Sequence, residues 1–359
     1  MATAFSSTRR RLTALRLSAL GIDSPRAASP GEVVRNALAT QAQDFPGALW
    51  SVGLRTPGAT AAGVEAAHAA GDFVRSWPMR GTLHFVAPDD LGWMLGVTRA
   101  RMLQSASGRR AQLGLGEPEF SRAEAIARDR LTGGGQARRA EMLAAFETGG
   151  VSVEGQRGVH ILGQLAQQGL LVLASRDGWA LLDEWVPHPR LLERDDALRE
   201  FALRYFLSHG PATVRDFAWW SSLTLTDARA GLAAAREQLD ELELDGTTYY
   251  LRPGLEPAAR AVHLLPGFDE YLLGYTDRSA PLASEHANTI VPGGNGLFMP
   301  TVVVNGEVAG LWRREKKGKA MTATLAPFRP LTATATRAIR AELDRYARYL
   351  GTPVTLVEG

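Results

Sequence analysis

Apolar residues recur every three or four positions along most of the chain, and short alternating stretches follow each such set. The clearest case covers 192–252, where apolar residues from Leu198 to Tyr205 share one helical face. Two alternating stretches then flank Asp245-Gly246, which is typical of a β-hairpin turn. Helices followed by a hairpin predict a winged helix-turn-helix.

Capping residues predict where several helices begin. Ser29, followed by proline and by Glu32 three positions later, is a strong helix start. Within 192–252, Thr213 is predicted to cap the second helix, with Asp216 in its first turn. Thr226 is predicted to cap the third.

The same order of helices and hairpin recurs at 8–90 and 120–185. In the second copy, Val159 is predicted to share a buried face with Leu162 and Ala166. The remainder combines an Asn-Gly hairpin with a helix over 332–350. We therefore predict an α+β fold with three tandem winged helix-turn-helix motifs and a C-terminal α+β region. Four domains are predicted. They are winged helix 1 at 1–95, which carries a Gln-Ala-Gln motif, winged helix 2 at 96–190, winged helix 3 at 191–255 and the C-terminal α+β region at 256–359.

Hydrophobic residues make up 45% of the 359 residues and charged residues 22%, which is a globular composition. There is no cysteine, which excludes disulfides, a cysteine nucleophile, iron–sulfur clusters and thiolate zinc sites. Because no run of 18 apolar residues exists, no membrane span is expected. The basic N-terminus lacks the apolar stretch of a secretory signal, and we expect a cytoplasmic, nucleoid-associated protein.

The basic residues are unusual in kind and in position. Of the 40 lysines and arginines, three are lysines, and all three follow two arginines in one run, 313–319. Such a run suits phosphate contacts or forms an ordinary solvated face. In the third copy, Asp227 and Glu237 stand beside the arginines of the last helix, so we expect this copy to be scaffold.

A pair of glutamines is the most informative polar feature. Val34, Leu38 and Gln41 are predicted to share a helical face, and a glutamine there needs a hydrogen-bond partner or a cavity. Side chains two positions apart on a helix point about 200° apart, so Gln41 and Gln43 can share a site only if the chain leaves the helix. The pair is either catalytic or a helix end with two satisfied amides, and Asp44 either supplies charge or caps a turn.

These residues resemble a known family. The segment 38–44 resembles the Gln-Φ-Gln motif (Φ, aliphatic) of the AlkZ-type DNA glycosylases, in a chain that is also similar at 77–84, 264–278, 292–296 and 306–313. A related branch, similar to YcaQ, ends the motif in aspartate, whereas this chain has Gln43.

The resemblance implies tandem winged helices and a monofunctional DNA glycosylase that hydrolyses the N-glycosidic bond of N7-alkylguanine, with Gln41 and Gln43 as catalytic residues that position the water. It implies unhooking of interstrand crosslinks as a further activity of some members. The expected partner is double-stranded DNA with alkylated purines, and we expect a monomer. No metal and no cofactor are expected, and a lysine Schiff base is not expected. The residues predicted to bind DNA are Arg75, Arg80, His84, Arg278, Arg313, Arg314, Lys316 and Lys317.

Two other functions stay open from the sequence. A non-catalytic winged-helix DNA-binding protein or regulator would bind duplex without an abasic product. A protein-interaction scaffold would have little affinity for DNA even at low salt.

Overall fold

The computed structural model describes residues 7–23, 26–259, 261–317 and 320–358. Its first segment is mostly helical and ends in a hairpin. The elements are α1 (Ser7–Ala19), α2 (Pro30–Ala37), β1 (Ala39–Gln41), α3 (Phe45–Leu54), α4 (Ala61–Ala69), β2 (Val74–Met79) and β3 (Thr82–Val86).

The second segment repeats that order and adds a short helix, whereas the third has three helices and a hairpin. The second comprises α5 (Pro88–Gln112), α6 (Glu117–Leu131), β4 (Ala137–Arg138), α7 (Arg139–Thr148), α8 (Arg157–Gln167), β5 (Leu171–Leu173), β6 (Gly178–Leu181) and α9 (Leu182–Trp185). The third comprises α10 (Arg194–His209), α11 (Val214–Ser221), α12 (Leu225–Ala235), β7 (Asp240–Leu244) and β8 (Thr247–Leu251).

The C-terminal region is built on a five-stranded sheet. Its elements are β9 (Val262–Leu265), α13 (Glu270–Leu273), α14 (Ala287–Ile290), β10 (Thr301–Val304), β11 (Glu307–Lys317), β12 (Ala320–Pro327), α15 (Ala333–Leu350) and β13 (Val354–Glu358). Single 3-10 turns lie at Arg236–Gln238, Ser284–His286 and Pro292–Gly294. The predicted α+β class is therefore confirmed, whereas the assignment of each segment as a winged helix-turn-helix stays a prediction, as do the domain boundaries.

Capping residues explain several helix starts, with one correction. Thr213 caps α11, since its Oγ1 accepts from Asp216 N at 3.2 Å and Asp216 Oδ2 accepts from Thr213 N at 2.9 Å. The prediction for Thr226 is wrong, because α12 is capped by Thr224. Thr224 stands three positions before Asp227, whose N–H donates to Thr224 Oγ1 at 3.1 Å, and this is the spacing that an N-cap requires.

One predicted core position is also wrong. Val159 is 45% exposed, although Leu162 and Ala166 are buried as expected. The buried face of α8 includes Ile161 and Leu165 beside Leu162 and Ala166, and it leaves Val159 outside. Helical spacing allows Val159 on this face, but the packing of α8 leaves it at the solvent-exposed edge.

The hairpins of the first two segments join in one six-stranded sheet, ordered β1-β3-β2-β5-β6-β4, through the pairing of Arg75 with Leu173. The hydrophobic cores cross segments as well. Leu38 and Ala39 belong to a core shared with the third segment, whereas Ala42 belongs to a core shared with the C-terminal region. The glutamine motif therefore lies where two cores meet.

Candidate active site

The chain leaves the helix before both glutamines. Helix α2 ends at Ala37, Leu38 adopts a positive φ of 66°, and Gln41 lies on strand β1. The prediction that Gln41 lies on a helical face is therefore wrong. On an extended chain, side chains two positions apart point to the same face. Leaving the helix therefore allows Gln41, the last residue of β1, and Gln43, in the bend that follows it, to share one site.

Gln41 is buried in the hairpin of the first segment, with 7% of its surface exposed. Gln41 on β1 lies opposite His84 on β3 in the antiparallel sheet. Its Oε1 accepts from Arg80 Nη2 at 3.3 Å, and its backbone N–H donates to Glu270 Oε1 at 3.3 Å. Both contacts fix Gln41 through residues far away in sequence.

His84 sets the position of Arg80. Arg80 Nη2 donates to His84 Nε2 at 2.8 Å, so the imidazole must be neutral, with its Nδ1–H donating to the Thr82 carbonyl at 2.8 Å. Burial and the charge of Arg80 lower the pKa of His84 to about 3, which agrees with this tautomer. His84 was predicted to bind DNA, but it is fully buried and cannot reach a phosphate here. Its role in this geometry is to position Arg80.

Glu270 is a buried carboxylate behind the motif. Its Oε2 accepts from Trp220 Nε1 at 2.8 Å and lies 3.4 Å from His209 Nε2. Burial alone raises the pKa of Glu270, but the contact with His209, the charge of Arg80 and the Trp220 hydrogen bond outweigh it and lower the pKa to about 2. A fixed negative charge is therefore hydrogen-bonded to the backbone N–H of Gln41.

Gln43 is the exposed member of the pair. Its Oε1 accepts from Leu83 N at 3.3 Å. The residue between the glutamines is braced too, because Ala42 N donates to the Leu83 carbonyl at 2.7 Å and Arg75 Nε donates to the Ala42 carbonyl at 3.0 Å. The motif is thus held along its length by the β2–β3 hairpin.

Asp44 does not cap through its side chain. It occupies the N-cap position of α3 but makes no capping hydrogen bond, and its Oδ2 instead pairs with Arg314 Nη2 at 3.1 Å. A side chain at position 47 would collide with this carboxylate, so Gly47 leaves it room. Arg314 Nη1 also donates to the Tyr346 hydroxyl at 3.3 Å. Strand β11 is tied in this way to the loop that carries Gln43.

The carboxylate next to Glu270 is structural. Arg55 donates from Nη1 and Nη2 to the two oxygens of Asp269 at 2.9 Å each, and Ser51 Oγ donates to Asp269 Oδ2 at 2.9 Å. The Arg55 and Asp269 side chains are 8% and 4% exposed. Asp269 also caps α13 by accepting from Tyr271 N. This buried pair fixes the turn that presents Glu270.

The remaining predicted DNA-binding residues lie on β2, on β11 and after α13. Arg75 is half-buried, and burial lowers its pKa to about 10. Along β11 the side chains alternate, with exposed Arg313 on one face and Arg314 and exposed Lys316 on the other. The side chain of Lys317 lies outside the described residues. Their DNA contacts, and that of Arg278, stay predictions.

The sequence predictions missed Glu270, His209 and Trp220. The latter two belong to the third segment, which was expected to be scaffold and instead supplies partners for the carboxylate. One signal was present, namely a carboxylate pair inside the apolar stretch 264–275. Buried carboxylates require specific partners, so such a pair marks a site or a structural ion pair.

Metal ligation was not expected. Over the described ranges, no group of three or more histidine, aspartate or glutamate side chains is placed to hold a metal ion. No helix in that part of the chain is long and apolar enough to cross a membrane.

Acidification is expected to destabilise the protein before its carboxylates titrate. His68, His84 and His263 are 0%, 0% and 4% exposed, and burial lowers their pKa values to about 4, 3 and 4. Below the ordinary histidine pKa of about 6.5 the unfolded chain binds protons that the folded chain excludes, so stability falls with pH. Each histidine contributes up to about 1.4 kcal/mol per pH unit. Urea unfolding between pH 7 and pH 5 checks this, and a flat profile would contradict it.

Repeated units of helices and a hairpin, together with clustered basic residues, are features found in proteins that act on DNA. The sequence matches the family described as DNA glycosylase AlkZ-like over residues 34–349, and the chain belongs to that family. The predicted family and enzyme class, DNA glycosylase, are confirmed.

Two comparisons extend over almost the full chain. The sequence is 26% identical to the interstrand DNA cross-link repair glycosylase of Streptomyces sahachiroi, over 97% of this chain and 99% of that protein. The structure is similar to that of Streptomyces sahachiroi DNA glycosylase AlkZ, with a TM-score of 0.78, 24% identity and coverage of 97% and 99% of the two chains. The structural likeness supports the fold.

Proposed function

We propose that this protein hydrolyses the N-glycosidic bond of N7-alkylguanine in double-stranded DNA, with Gln41 and Gln43 positioning the attacking water. The observation that carries the proposal is the geometry of the motif. A short strand and the bend after it carry one buried and one exposed amide, and the β2–β3 hairpin supplies a donor to each amide oxygen.

Two neutral amides are sufficient for this reaction, because the alkylated base is already a good leaving group. Alkylation at N7 makes the base cationic, so it leaves without a strong general acid. The C1′–N9 electron pair departs with the base, and the transition state has oxocarbenium character. Water then forms the new bond at C1′ and releases a proton to solvent. The amides contribute by holding that water in line, which is a positioning effect.

The two glutamines have different roles in this scheme. Each amide oxygen accepts one N–H and retains a second lone pair for the water. Gln43 is exposed and directly offers that lone pair to a bound nucleotide. Gln41 is buried against Arg80 and sets the direction of the segment. Glu270 holds the Gln41 backbone and supplies a negative charge that favours a cationic transition state.

Crosslinked DNA extends the proposed substrate range. The Streptomyces relative is an interstrand cross-link repair glycosylase by name, and its length is nearly fully covered. An exposed Gln43 at the meeting of two cores leaves the catalytic amide open to a bulky adduct. We include unhooking of such crosslinks in the proposal.

The proposed reaction is tested by identifying the molecule that the protein releases from alkylated DNA. Purified protein is incubated with a duplex that contains one N7-methylguanine, and the products are separated by liquid chromatography with mass detection. Free 7-methylguanine with an abasic strand of unchanged length is expected, and borohydride should trap no covalent complex. A released nucleoside, or an intact lesion after tight binding, would overturn the proposed reaction.

Strand β11 is expected to supply phosphate contacts. Arg313→Gln and Lys316→Gln remove one charge from each face of the strand, beside the Arg314–Asp44 link. A residue that contacts a phosphate should reduce the slope of log affinity against log salt by about 1 when it is replaced. Arg229→Gln, at an exposed position of α12, is the matched control. A reduced salt slope in one variant identifies the face of β11 that lies against DNA. An unchanged slope in both variants would contradict the phosphate contacts assigned to β11.

A further inference from the structure

Two adjacent tryptophans near the end of α11 have opposite environments. Trp220 is fully buried, and its Nε1 donates to Glu270 at 2.8 Å. Trp219 is 38% exposed and is a large apolar side chain at the rim of the site. Successive helical positions point about 100° apart, so anchoring Trp220 in the site holds Trp219 outward.

Two arginines lie close to the exposed indole. The guanidinium carbons of Arg80 and Arg278 lie 5.5 Å and 5.1 Å from the Trp219 ring centre, within the range of cation–π contact. Arg80 is the residue that donates to Gln41. Trp219 is therefore linked to the catalytic amide through one side chain.

Arg278 is held rigidly but has donors to spare. Its Nε donates to the Leu272 carbonyl at 2.7 Å, and its guanidinium lies 4.8 Å from the Phe298 ring. It forms no ion pair and no further hydrogen bond from either Nη with any described residue. A half-buried guanidinium with unused N–H groups is suited to an anion, because burial lowers its pKa and leaves the charge poorly solvated.

We propose that Trp219 and Arg278 together clamp the nucleotide next to the lesion. The indole stacks on the base of that nucleotide, and the Arg278 Nη groups bind its phosphate. An aromatic platform beside a guanidinium is a common way to hold one nucleotide without reading its sequence. The inference rests on the proposed function for the identity of the lesion, but the contact itself needs only DNA.

The clamp assigns the third segment a direct role in substrate binding. Because Arg80 contacts both Trp219 and Gln41, occupation of the clamp fixes the nucleotide adjacent to the amide that orients the water. An abasic analogue exposes the face of the neighbouring base, so the indole contact should be strongest there.

Fluorescence anisotropy measures the clamp with two labelled duplexes, one unmodified and one with a tetrahydrofuran abasic analogue. Trp219→Ala should weaken binding to the analogue by about 5- to 150-fold, and less to the unmodified duplex, without changing the salt slope. Trp219→Phe should restore most of the affinity. Arg278→Gln should reduce the salt slope by about 1. Leu191→Ala, an 82% exposed control, should change neither.

Several results would overturn the clamp. They are equal affinity of Trp219→Ala and wild type for the analogue duplex, an unchanged salt slope in Arg278→Gln, or a loss in Trp219→Ala that follows lowered thermal stability and is not restored by phenylalanine. Because the assay detects binding without base release, a protein that binds with these differences but leaves N7-methylguanine intact would overturn the proposed function and support the clamp.

Discussion

Replacing Gln43 by alanine should lower the single-turnover rate of base release by about 10²-fold or more, because misplacing a reacting group by about 1 Å costs that much. Gln43 is exposed, and its one hydrogen bond within the described chain is from Leu83 N at 3.3 Å, so folding should be preserved. Single-turnover kinetics with enzyme in excess separate the chemical step from product release.

Gln41→Ala provides the informative contrast. Its removal takes a buried side chain out of the site and leaves the half-buried Arg80 without one of its two side-chain acceptors, so this variant should lose both rate and stability. Gln43→Ala should lose rate alone. Equal losses of duplex affinity and melting temperature in both variants would show that the amides are structural.

Breaking the buried Arg55–Asp269 pair should have the largest effect on stability. Asp269→Ala removes both acceptors of a bidentate pair whose side chains are under a tenth exposed, and leaves the Arg55 charge buried. Loss of one partner from such a pair costs about 3–5 kcal/mol. The free energy of unfolding in urea measures this, and base release should fall with it because the turn presents Glu270.

An exposed ion pair is the control for this loss. Glu124→Ala breaks the contact with Arg128 at 3.1 Å, where the side chains are 43% and 48% exposed. Exposed pairs contribute about 0–1 kcal/mol. A loss from Asp269→Ala that is no larger than the loss from Glu124→Ala would contradict the structural role assigned to Asp269.

Elements with local signals could be predicted from the sequence. Thr213 with Asp216 fixed the start of α11, and Asn305-Gly306 fixed the turn between β10 and β11, where both residues have a positive φ. These signals depend on neighbours within four positions, so the sequence contains all of the relevant chemistry.

Strand β1 could not be predicted in this way. The spacing of Val34, Leu38 and Gln41 continues the helical pattern, and only tertiary pairing overrides it. The partner strand β3 lies more than 40 residues later, with Gln41 opposite His84. A three-residue strand has too few positions for alternation to be detected.

The setting of the site depends on still more distant contacts. Glu270 reaches Gln41 across 229 positions and Trp220 across 50. Both glutamines could be chosen from the motif and its resemblance to a family, but the carboxylate behind them emerges only when two cores pack together.

The central claim is tested most directly by the time course of abasic-site formation in a duplex with one N7-methylguanine, using excess wild-type protein and excess Gln43→Ala protein of equal duplex affinity. We predict abasic sites with the wild type and a rate at least about 10²-fold lower with the variant. Equal rates for the two proteins, or no abasic sites from bound wild-type protein, would contradict the assignment of Gln43 to catalysis.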